Sequence, residues 1–109
     1  MIDIFKALSE ESRLRIIALL IDREMCVCEI ELCLGLTQSN ASRHLTLLKK
    51  CGILESYKNA QWSYYSISKS FKSEHGDLWN YLKIKLIELS TYEKDYLESE
   101  KCKSQEICN

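Results

Sequence analysis

Apolar residues recur at helical spacing along the first half of the chain. One such stretch is LSEESRLRIIALLI, and a shorter one, EIELCL, stops at Gly35, which can adopt a left-handed helix cap. A third stretch, QSNASRHLTLLKKC, follows Thr37, a favourable N-cap residue, and stops at Gly52. The apolar stripe of this third stretch consists of Ala41, Leu45, Leu48 and Cys51. The pattern predicts two helices joined by a tight turn, with two further helices before them.

After Gly52 the apolar period changes from helical to alternating. The segments ILESY and WSYYSI are rich in β-branched and aromatic residues and are separated by the polar KNAQ, so they predict a β-hairpin. Within this turn, Asn59 is the residue expected to tolerate a left-handed conformation. A helix-turn-helix followed by a hairpin is the winged helix-turn-helix architecture. The predicted fold class is therefore mainly α with a small β-hairpin.

A long final helix is predicted from about residue 76 to residue 99. One apolar seam of this helix consists of Leu82, Leu86, Leu89 and Tyr96, and its other sides carry Trp79, Ile84, Ile87 and Tyr92. A small core cannot cover this much apolar surface, so we expect a homodimer formed through the terminal helices. We assign 1–98 to the winged helix-turn-helix domain, including this dimerisation helix, and 99–109 to a mobile tail that contains two cysteines.

The composition is that of one ordinary globular domain. The 109 residues are 46% hydrophobic and 28% charged. No apolar run approaches the roughly 18 residues that a membrane span requires, and the N-terminus lacks a basic and then apolar signal pattern. We therefore expect a cytoplasmic protein without membrane contact, whose six cysteines are thiols or metal ligands rather than structural disulfides.

The net charge of −1 conceals a basic middle segment. Residues 37–72 contain six Lys and Arg residues against one acid, Glu55, which favours a polyanionic partner. Arg43 can form a bidentate hydrogen bond with guanine, and Gln38 or Asn40 can form one with adenine. Lysine side chains can contact the phosphates. The predicted DNA contacts are Gln38, Ser39, Asn40, Ser42, Arg43, His44, Lys49, Lys50, Lys58 and Gln61. A polar helix face is also commonly just solvated, and His44 could instead be a packing residue.

Three of the six cysteines lie in the segment REMCVCEIELC. Cys26 and Cys28 bracket one valine at the predicted start of a helix, where the helix dipole favours thiolates, and thiolates select soft ions. Because residues i and i+2 do not face each other on a helix, both can bind one ion only if one of them lies outside regular helix. The alternative is the packing of two small apolar side chains.

The remaining cysteines are assigned by their positions. Cys51 lies on the buried stripe and is expected to pack in the core. Cys33 lies five residues after Cys28, about 140° around a helix, which favours packing over ligation. Cys102 and Cys108 lie in the predicted tail. A third ligand to the ion is left open between Cys102, Cys108 and Cys33.

Residues 5–67 resemble the ArsR/SmtB family of metal-responsive repressors. FKALSEESRLRIIALL is similar to the opening helices of that family, LGLTQSNASRHLTLLKKCGIL to its helix-turn-helix and YKNAQWSYYSI to its wing. The segment EMCVCEIE resembles the family's arsenic-sensor sequence, ELCVCDLC. Cys26 and Cys28 match the first two cysteines of that sequence, and Glu31 stands where the family has the third.

The resemblance implies a non-enzymatic, homodimeric repressor that leaves a palindromic operator when As(III) or Sb(III) binds the thiolates. Cadmium and lead sensors of the family use additional N-terminal cysteines, and residues 1–25 contain none. Its zinc sensors use Asp and His on the final helix, where no histidine follows His75. Trivalent arsenic, which needs two or three thiolates, fits best. The alternative is a cadmium/lead-responsive or thiol-redox-responsive repressor of the same fold; a redox enzyme and a purely protein-binding winged helix fit the residues less well.

Overall fold

The structure, a computed structural model, describes the backbone of residues 1–105 and the side chains of residues 1–102. Its helices are Ile2–Leu8 (α1), Glu11–Leu19 (α2), Val27–Leu34 (α3), Gln38–Lys50 (α4), Lys69–Glu74 (α5), Gly76–Lys85 (α6) and Tyr92–Gln105 (α7), and Leu86–Glu88 forms a 3₁₀ turn. Its strands are Met25–Cys26 (β1), Leu54–Asn59 (β2) and Trp62–Ile67 (β3). This mainly helical winged helix-turn-helix confirms the predicted fold class. Among residues 1–105, no helix combines the length and apolar character needed to cross a bilayer.

The helix-turn-helix consists of α3, a short turn and α4. Gly35 ends α3 in the left-handed conformation, with a φ of 66°, which a residue without Cβ adopts at little cost. Thr37 is the N-cap residue of α4, and its Oγ1 accepts a hydrogen bond from the backbone N–H of Asn40 at 3.2 Å. Ala41 and Leu45 on the inner face of α4 are fully buried. This anchoring directs the opposite face of α4 to solvent.

The wing is the β2–β3 hairpin, extended by a third short strand. The sheet is antiparallel in the order β1-β3-β2. The sequence did not predict β1, which pairs with the outer edge of β3 and places Cys26 opposite Tyr64. The left-handed residue of the hairpin turn is Ala60, with a φ of 58°, rather than Asn59. Asn59 cannot take that role because it is held opposite Trp62 in the last pair of the ladder.

The predicted long final helix is interrupted. After α6 and the 3₁₀ turn, the chain becomes extended at Leu89, whose ψ is 138°. Ser90 and Thr91 follow, and both residue types favour caps and turns over helix interiors. The interruption keeps Leu82 and Leu86 in the core while α7 turns back onto α2 and α3. The prediction of one continuous helix was wrong because a helical apolar period can continue across such a break.

Polar contacts fix α7 to the rest of the domain. Arg15 of α2 donates hydrogen bonds to both carboxylate oxygens of the buried Asp95, each at 2.9 Å, and this contact raises the pKa of Arg15. The helix continues to Gln105, so residues 99–105 belong to it rather than to the predicted tail. Although the sequence of this segment is polar, Ser99 and Cys102 are buried, because they follow the buried Asp95 at helical spacing and lie on the same face of α7. Residues 106–109 lie outside the described residues.

Large apolar side chains remain exposed on α1 and α6. Ile2 and Phe5 of α1 are 69% and 55% exposed, and Tyr81 and Ile84 of α6 are 59% and 63% exposed. The two helices also border one groove, lined by Phe5 and Leu78 among others. Both helices belong to the terminal helices that the sequence analysis expected to form the dimer, and of the final-helix residues it named, Ile84 lies on this exposed surface whereas Leu82, Leu86 and Trp79 are buried.

Candidate nucleic-acid interface and thiol site

The solvent face of α4 carries the polar side chains that base contacts require. Its first two turns expose Gln38, Ser39, Asn40, Ser42 and Arg43. The guanidinium of Arg43 donates a hydrogen bond to Asn40 Oδ1 at 3.3 Å, so these two side chains are presented together. Donors and acceptors thus project from a helix whose other face is anchored in the core, which is the arrangement that major-groove readout uses.

His44 does not lie on this exposed face. It is 3% exposed, with Nε2 3.5 Å from Glu10 Oε1 and Nδ1 3.3 Å from Arg13 Nη1. Burial lowers the pKa of His44, against the opposing effect of Glu10. Because His44 follows Ala41 by three residues, it falls on the inner face of α4. The structure therefore assigns it to the contact between α4 and α2 instead of to the DNA-facing set.

Further exposed polar residues flank the α4 face. Lys49 and Lys50 lie at the end of α4, and Lys58 and Gln61 lie on the wing. Thr46 is exposed as well, and the sequence analysis did not single it out, although it follows the polar residues of α4 at helical spacing. These positions are suited to contacts with phosphates beside the groove that α4 would enter.

Cys26 and Cys28 meet where β1 joins α3. Cys26 is the last residue of β1 and the N-cap of α3, with φ −80° and ψ 158°, whereas Cys28 lies in the first turn of α3. Their Sγ atoms are 2.7 Å apart; Cys26 is fully buried, and Cys28 is partly exposed. One of the two residues therefore lies outside regular helix, as shared binding of one ion requires. Two sulfurs that face one point, one of them accessible, are a suitable donor set for a soft ion.

A capping bond and an ion pair hold the start of α3. The backbone N–H of Cys26 donates a hydrogen bond to Glu29 Oε1 at 3.1 Å. The other carboxylate oxygen of Glu29 lies 3.3 Å from Arg23 Nη1, and Arg23 Nη2 donates to the carbonyl oxygen of Ser99 at 3.1 Å. The thiol site is thus connected to α7. Sequence reasoning missed this connection because Arg23 and Ser99 are 76 residues apart.

The thiol site is also connected to the wing. Cys26 is paired with Tyr64 of β3, and the Tyr64 ring stacks on Tyr57 of β2 with centroids 5.4 Å apart. The Tyr57 hydroxyl donates a hydrogen bond to the carboxylate of Glu24, just before β1, and this bond raises the pKa of Tyr57. The strand that contains Cys26 and the hairpin that carries Lys58 are therefore parts of one sheet.

The other cysteines lie apart from this site. Cys33 of α3 and Cys102 of α7 are buried, with Sγ atoms 3.1 Å apart. Cys51 is partly buried at the end of α4, where its Sγ lies 3.4 Å from the carbonyl oxygen of Leu48. Cys108 lies outside the described residues. Within the described part of the chain, no three His, Cys, Asp or Glu side chains are grouped so that they could hold a metal ion.

Comparison with known proteins identifies this arrangement. The sequence model of the arsR family of bacterial regulatory proteins matches residues 3–56, from α1 into β2. The chain belongs to the arsR family. The arsenical resistance operon repressor of Escherichia coli (strain K12) is 41% identical to this ArsR-family chain over 68 residues, which cover 62% of the chain and 58% of that protein. The cadmium resistance transcriptional regulatory protein CadC of Listeria innocua serovar 6a is 42% identical over 64 residues, 58% of the chain and 54% of that protein.

A solved structure shares the fold of this ArsR-family chain. The homodimeric winged helix-turn-helix DNA-binding domain of a possible ArsR-family transcriptional regulator from Mycobacterium bovis aligns with a TM-score of 0.65 and 27% identity, over 82% of this chain and 83% of that one. The chain spans little more than half the length of the two curated relatives. The relatives are transcriptional regulators, which confirms a regulatory rather than an enzymatic family. One is named for arsenic and the other for cadmium, so membership of the family does not select the inducer.

Proposed function

We propose that this chain is a homodimeric transcriptional repressor of the cytoplasm. It binds a palindromic operator and leaves it when As(III) or Sb(III) binds Cys26 and Cys28. The observation that carries the proposal is the pair of sulfurs 2.7 Å apart at the start of α3, the first helix of the helix-turn-helix. At this position a soft ion acts directly on the DNA-reading elements, with no intervening domain.

The dimer is proposed to form through the apolar face of α1 and α6. In a two-fold symmetric dimer, two α4 helices about 34 Å apart would meet half-sites one turn of DNA apart. The similarity to the homodimeric domain from Mycobacterium bovis supports a homodimer. Ile84→Glu should therefore yield a monomer in sedimentation, whereas Leu97→Glu, at an exposed position of α7, should leave the dimer intact. A wild-type protein that sediments as a monomer would contradict the proposed assembly.

The residues of the thiol site are proposed to couple inducer binding to DNA release. The ion supplies a common centre for two thiolates. With bonds of about 2.3 Å, the two sulfurs, now 2.7 Å apart, have to separate to bind one centre. Cys26 is fully buried where β1, which is paired with the wing, meets the first turn of α3, which Glu29 caps, so we expect this separation to shift β1 or the first turn of α3. Either movement displaces a DNA-reading element from its partner groove. A coupling of about 1–3 kcal/mol, or roughly 5–150-fold in operator affinity, is typical of such linkage.

Trivalent arsenic and antimony suit the residues present better than cadmium or lead. No third His, Cys, Asp or Glu among the described residues completes a site with Cys26 and Cys28, and the family resemblance associates two or three thiolates with trivalent arsenic. The similarity to the Escherichia coli arsenical resistance repressor supports the same choice. A cadmium- or lead-responsive repressor is the second candidate, supported by the similarity to CadC. A thiol-redox response is the third, since the two sulfurs are already close.

Operator-binding titrations distinguish these candidates. Wild-type protein bound to a fluorescent operator would be titrated in parallel with As(III), Sb(III), Cd(II), Pb(II), Zn(II) and peroxide. We expect As(III) and Sb(III) to release the DNA. Cys26→Ser and Cys28→Ser should retain operator affinity and lose most of the response, whereas the matched control Cys51→Ser should retain both. If the Cys26/Cys28 double variant still leaves DNA when arsenite is added, the sensor lies elsewhere.

The same operator complex tests the DNA-binding part of the proposal. Affinity should fall with rising salt, with the slope of several released counterions, because Lys and Arg side chains would neutralise phosphates. Binding that shows no such salt dependence would favour a protein-binding winged helix.

A further inference from the structure

A second pair of thiols lies where α7 packs on α3. The Sγ atoms of Cys33 and Cys102 are 3.1 Å apart, and the two residues are 4% and 2% exposed. They are 69 residues apart in sequence, so the docking of α7 brings them together. Cys33 follows Cys28 by five residues, about 140° further around α3. The Cys33–Cys102 pair is therefore distinct from the thiol site at the start of α3.

The spacing of this pair suits a pyramidal centre. With metal–sulfur bonds of about 2.3 Å, two sulfurs 3.1 Å apart subtend about 85° at one shared atom. A linear two-coordinate ion would need the sulfurs about 4.6 Å apart and would push α7 away from α3. A three-coordinate pyramidal centre can bind both sulfurs with the two helices in place.

The burial of the pair favours the same kind of ligand. Cys33 and Cys102 are 4% and 2% exposed, and such a buried site disfavours a ligand that brings uncompensated charge. Arsenous acid can exchange two of its hydroxyl groups for two thiols: two As–O bonds break, two As–S bonds form, and the thiol protons leave with the hydroxyls as two water molecules. This exchange needs no oxidant or reductant and creates no charge.

Entry of a ligand requires α7 to separate briefly from α3. This helix is held by the Arg15–Asp95 and Arg23–Ser99 contacts and follows the interruption after α6. A cavity of about 230 Å³ between α2 and α7, lined by Tyr96 among others, leaves their contact incompletely packed. Elements of this kind open locally without global unfolding.

We infer that Cys33 and Cys102 form a second binding site for trivalent arsenic or antimony, in which one centre held by both sulfurs ties α7 to α3. The choice of ligand rests on the proposed function, whereas the site rests on its own two thiols. Occupancy links two distant positions of the chain, which restricts the unfolded state as a disulfide does and raises the unfolding temperature. Because α7 has to open first, the binding rate becomes independent of arsenite concentration once arsenite is in excess.

The test uses the reduced full chain with Cys26→Ser, Cys28→Ser and Cys108→Ser. Bound arsenic is counted by elemental analysis after gel filtration, and the remaining thiols are counted after denaturation. The expected result is one arsenic per chain, two thiols consumed, a higher unfolding temperature and a saturating binding rate. Adding Cys33→Ala or Cys102→Ala should abolish binding, while Cys51→Ala should leave it unchanged. Alanine keeps the two buried positions apolar, and circular dichroism verifies that each variant is folded.

A folded protein that binds no arsenic, or binding that survives Cys33→Ala and Cys102→Ala, would overturn this inference. Operator release is measured separately on a chain with Cys26 and Cys28 intact and both Cys33 and Cys102 replaced by alanine. Suppose that the Cys33/Cys102 double variant leaves the operator when arsenite is added, while the Cys26/Cys28/Cys108 triple variant binds no arsenic. The second site is then wrong and the proposed function stands. If the Cys33/Cys102 double variant stays on the operator while the Cys26/Cys28/Cys108 triple variant binds one arsenic, the proposed function is wrong and the second site stands.

Discussion

Cys26 is paired with Tyr64 across the β1–β3 ladder, so one candidate ligand of the inducer is also a strand residue of the wing sheet. The Tyr64 ring stacks on Tyr57, whose hydroxyl binds Glu24 just ahead of β1. These contacts form a closed connection between the thiol site and the hairpin that carries Lys58. Movement of Cys26 can therefore reach the proposed DNA interface through the sheet as well as through α3.

Tyr57→Phe should weaken the response to arsenite and leave operator affinity almost unchanged. The change removes the hydroxyl that binds Glu24 and keeps the ring that stacks on Tyr64. We expect operator affinity without arsenite to stay within about twofold of wild type, as for an ordinary surface change. Arsenite should then reduce the operator affinity of the variant by a smaller factor than it does in wild type. Operator titrations with and without arsenite measure both quantities. Tyr96→Phe, at a partly exposed position of α7, is the matched control, and an unaltered arsenite factor in Tyr57→Phe would exclude transmission through this bond.

Arg43→Ala and Lys49→Ala should impair DNA binding in different ways. Loss of Arg43 from the exposed face of α4 should cost about 1–3 kcal/mol on the operator and relax the preference at one base pair. Loss of Lys49 should weaken operator and random DNA alike and reduce the salt slope by about 1. Competition binding at several salt concentrations separates the two effects. Identical behaviour of the two variants would mean that the assignment of the reading face is wrong.

The protein should lose stability as the pH falls below about 6.5, and His44 should account for part of the loss. In the unfolded chain this histidine takes up a proton near its ordinary pKa, whereas burial lowers its pKa in the folded state. Between the two values the unfolded state binds more protons, so protonation favours unfolding. Urea unfolding at about pH 7.5 and about pH 5.5 should show a smaller pH effect in His44→Gln than in wild type. His75→Gln, at the exposed histidine, is the matched control; an equal reduction there would contradict the prediction.

Asp95→Asn should destabilise the protein by about 3–5 kcal/mol, because it leaves the Arg15 guanidinium partly buried without its counter-charge. The loss should appear in urea unfolding and as faster amide exchange along α7. Glu88→Gln breaks the exposed Lys85–Glu88 pair, where oxygen and nitrogen are 3.7 Å apart, and should cost about 0–1 kcal/mol. If the two variants lose equal stability, the Arg15–Asp95 pair does not anchor α7.

The helix-turn-helix and its wing follow from the sequence because their signals act over a few residues. Thr37 caps α4 through Asn40, three residues away, and Gly35 ends α3 by its own backbone conformation. The requirement that one of Cys26 and Cys28 leave regular helix also follows from helix geometry, and the N-cap position of Cys26 meets it. These features depend on local geometry that a sequence pattern states directly.

The number of buried positions around a helix depends on the helices that pack against it. The sequence pattern therefore placed His44 among the exposed DNA contacts, although it is buried in the structure. Residues 41 and 45 of α4 were correctly predicted to be buried, but the periodic pattern does not tell how far α2 covers the adjoining positions. Glu10, the N-cap residue of α2, and Arg13 of α2 decide that His44 is covered. The two-residue strand β1 was missed for a related reason, since a segment so short has no period and exists through its pairing with β3.

Tertiary structure alone decided the position of α7 and what it brings together. The Arg15–Asp95 pair spans 80 residues and the Cys33–Cys102 contact spans 69, distances over which a sequence pattern carries no pairing information. By itself the sequence determined the local features of the site: a polar α4 face, one lysine on the wing and two cysteines at the start of α3. Burial and long-range packing then decided that His44 is interior, that Cys102 meets Cys33, and that Cys26 belongs to the wing sheet.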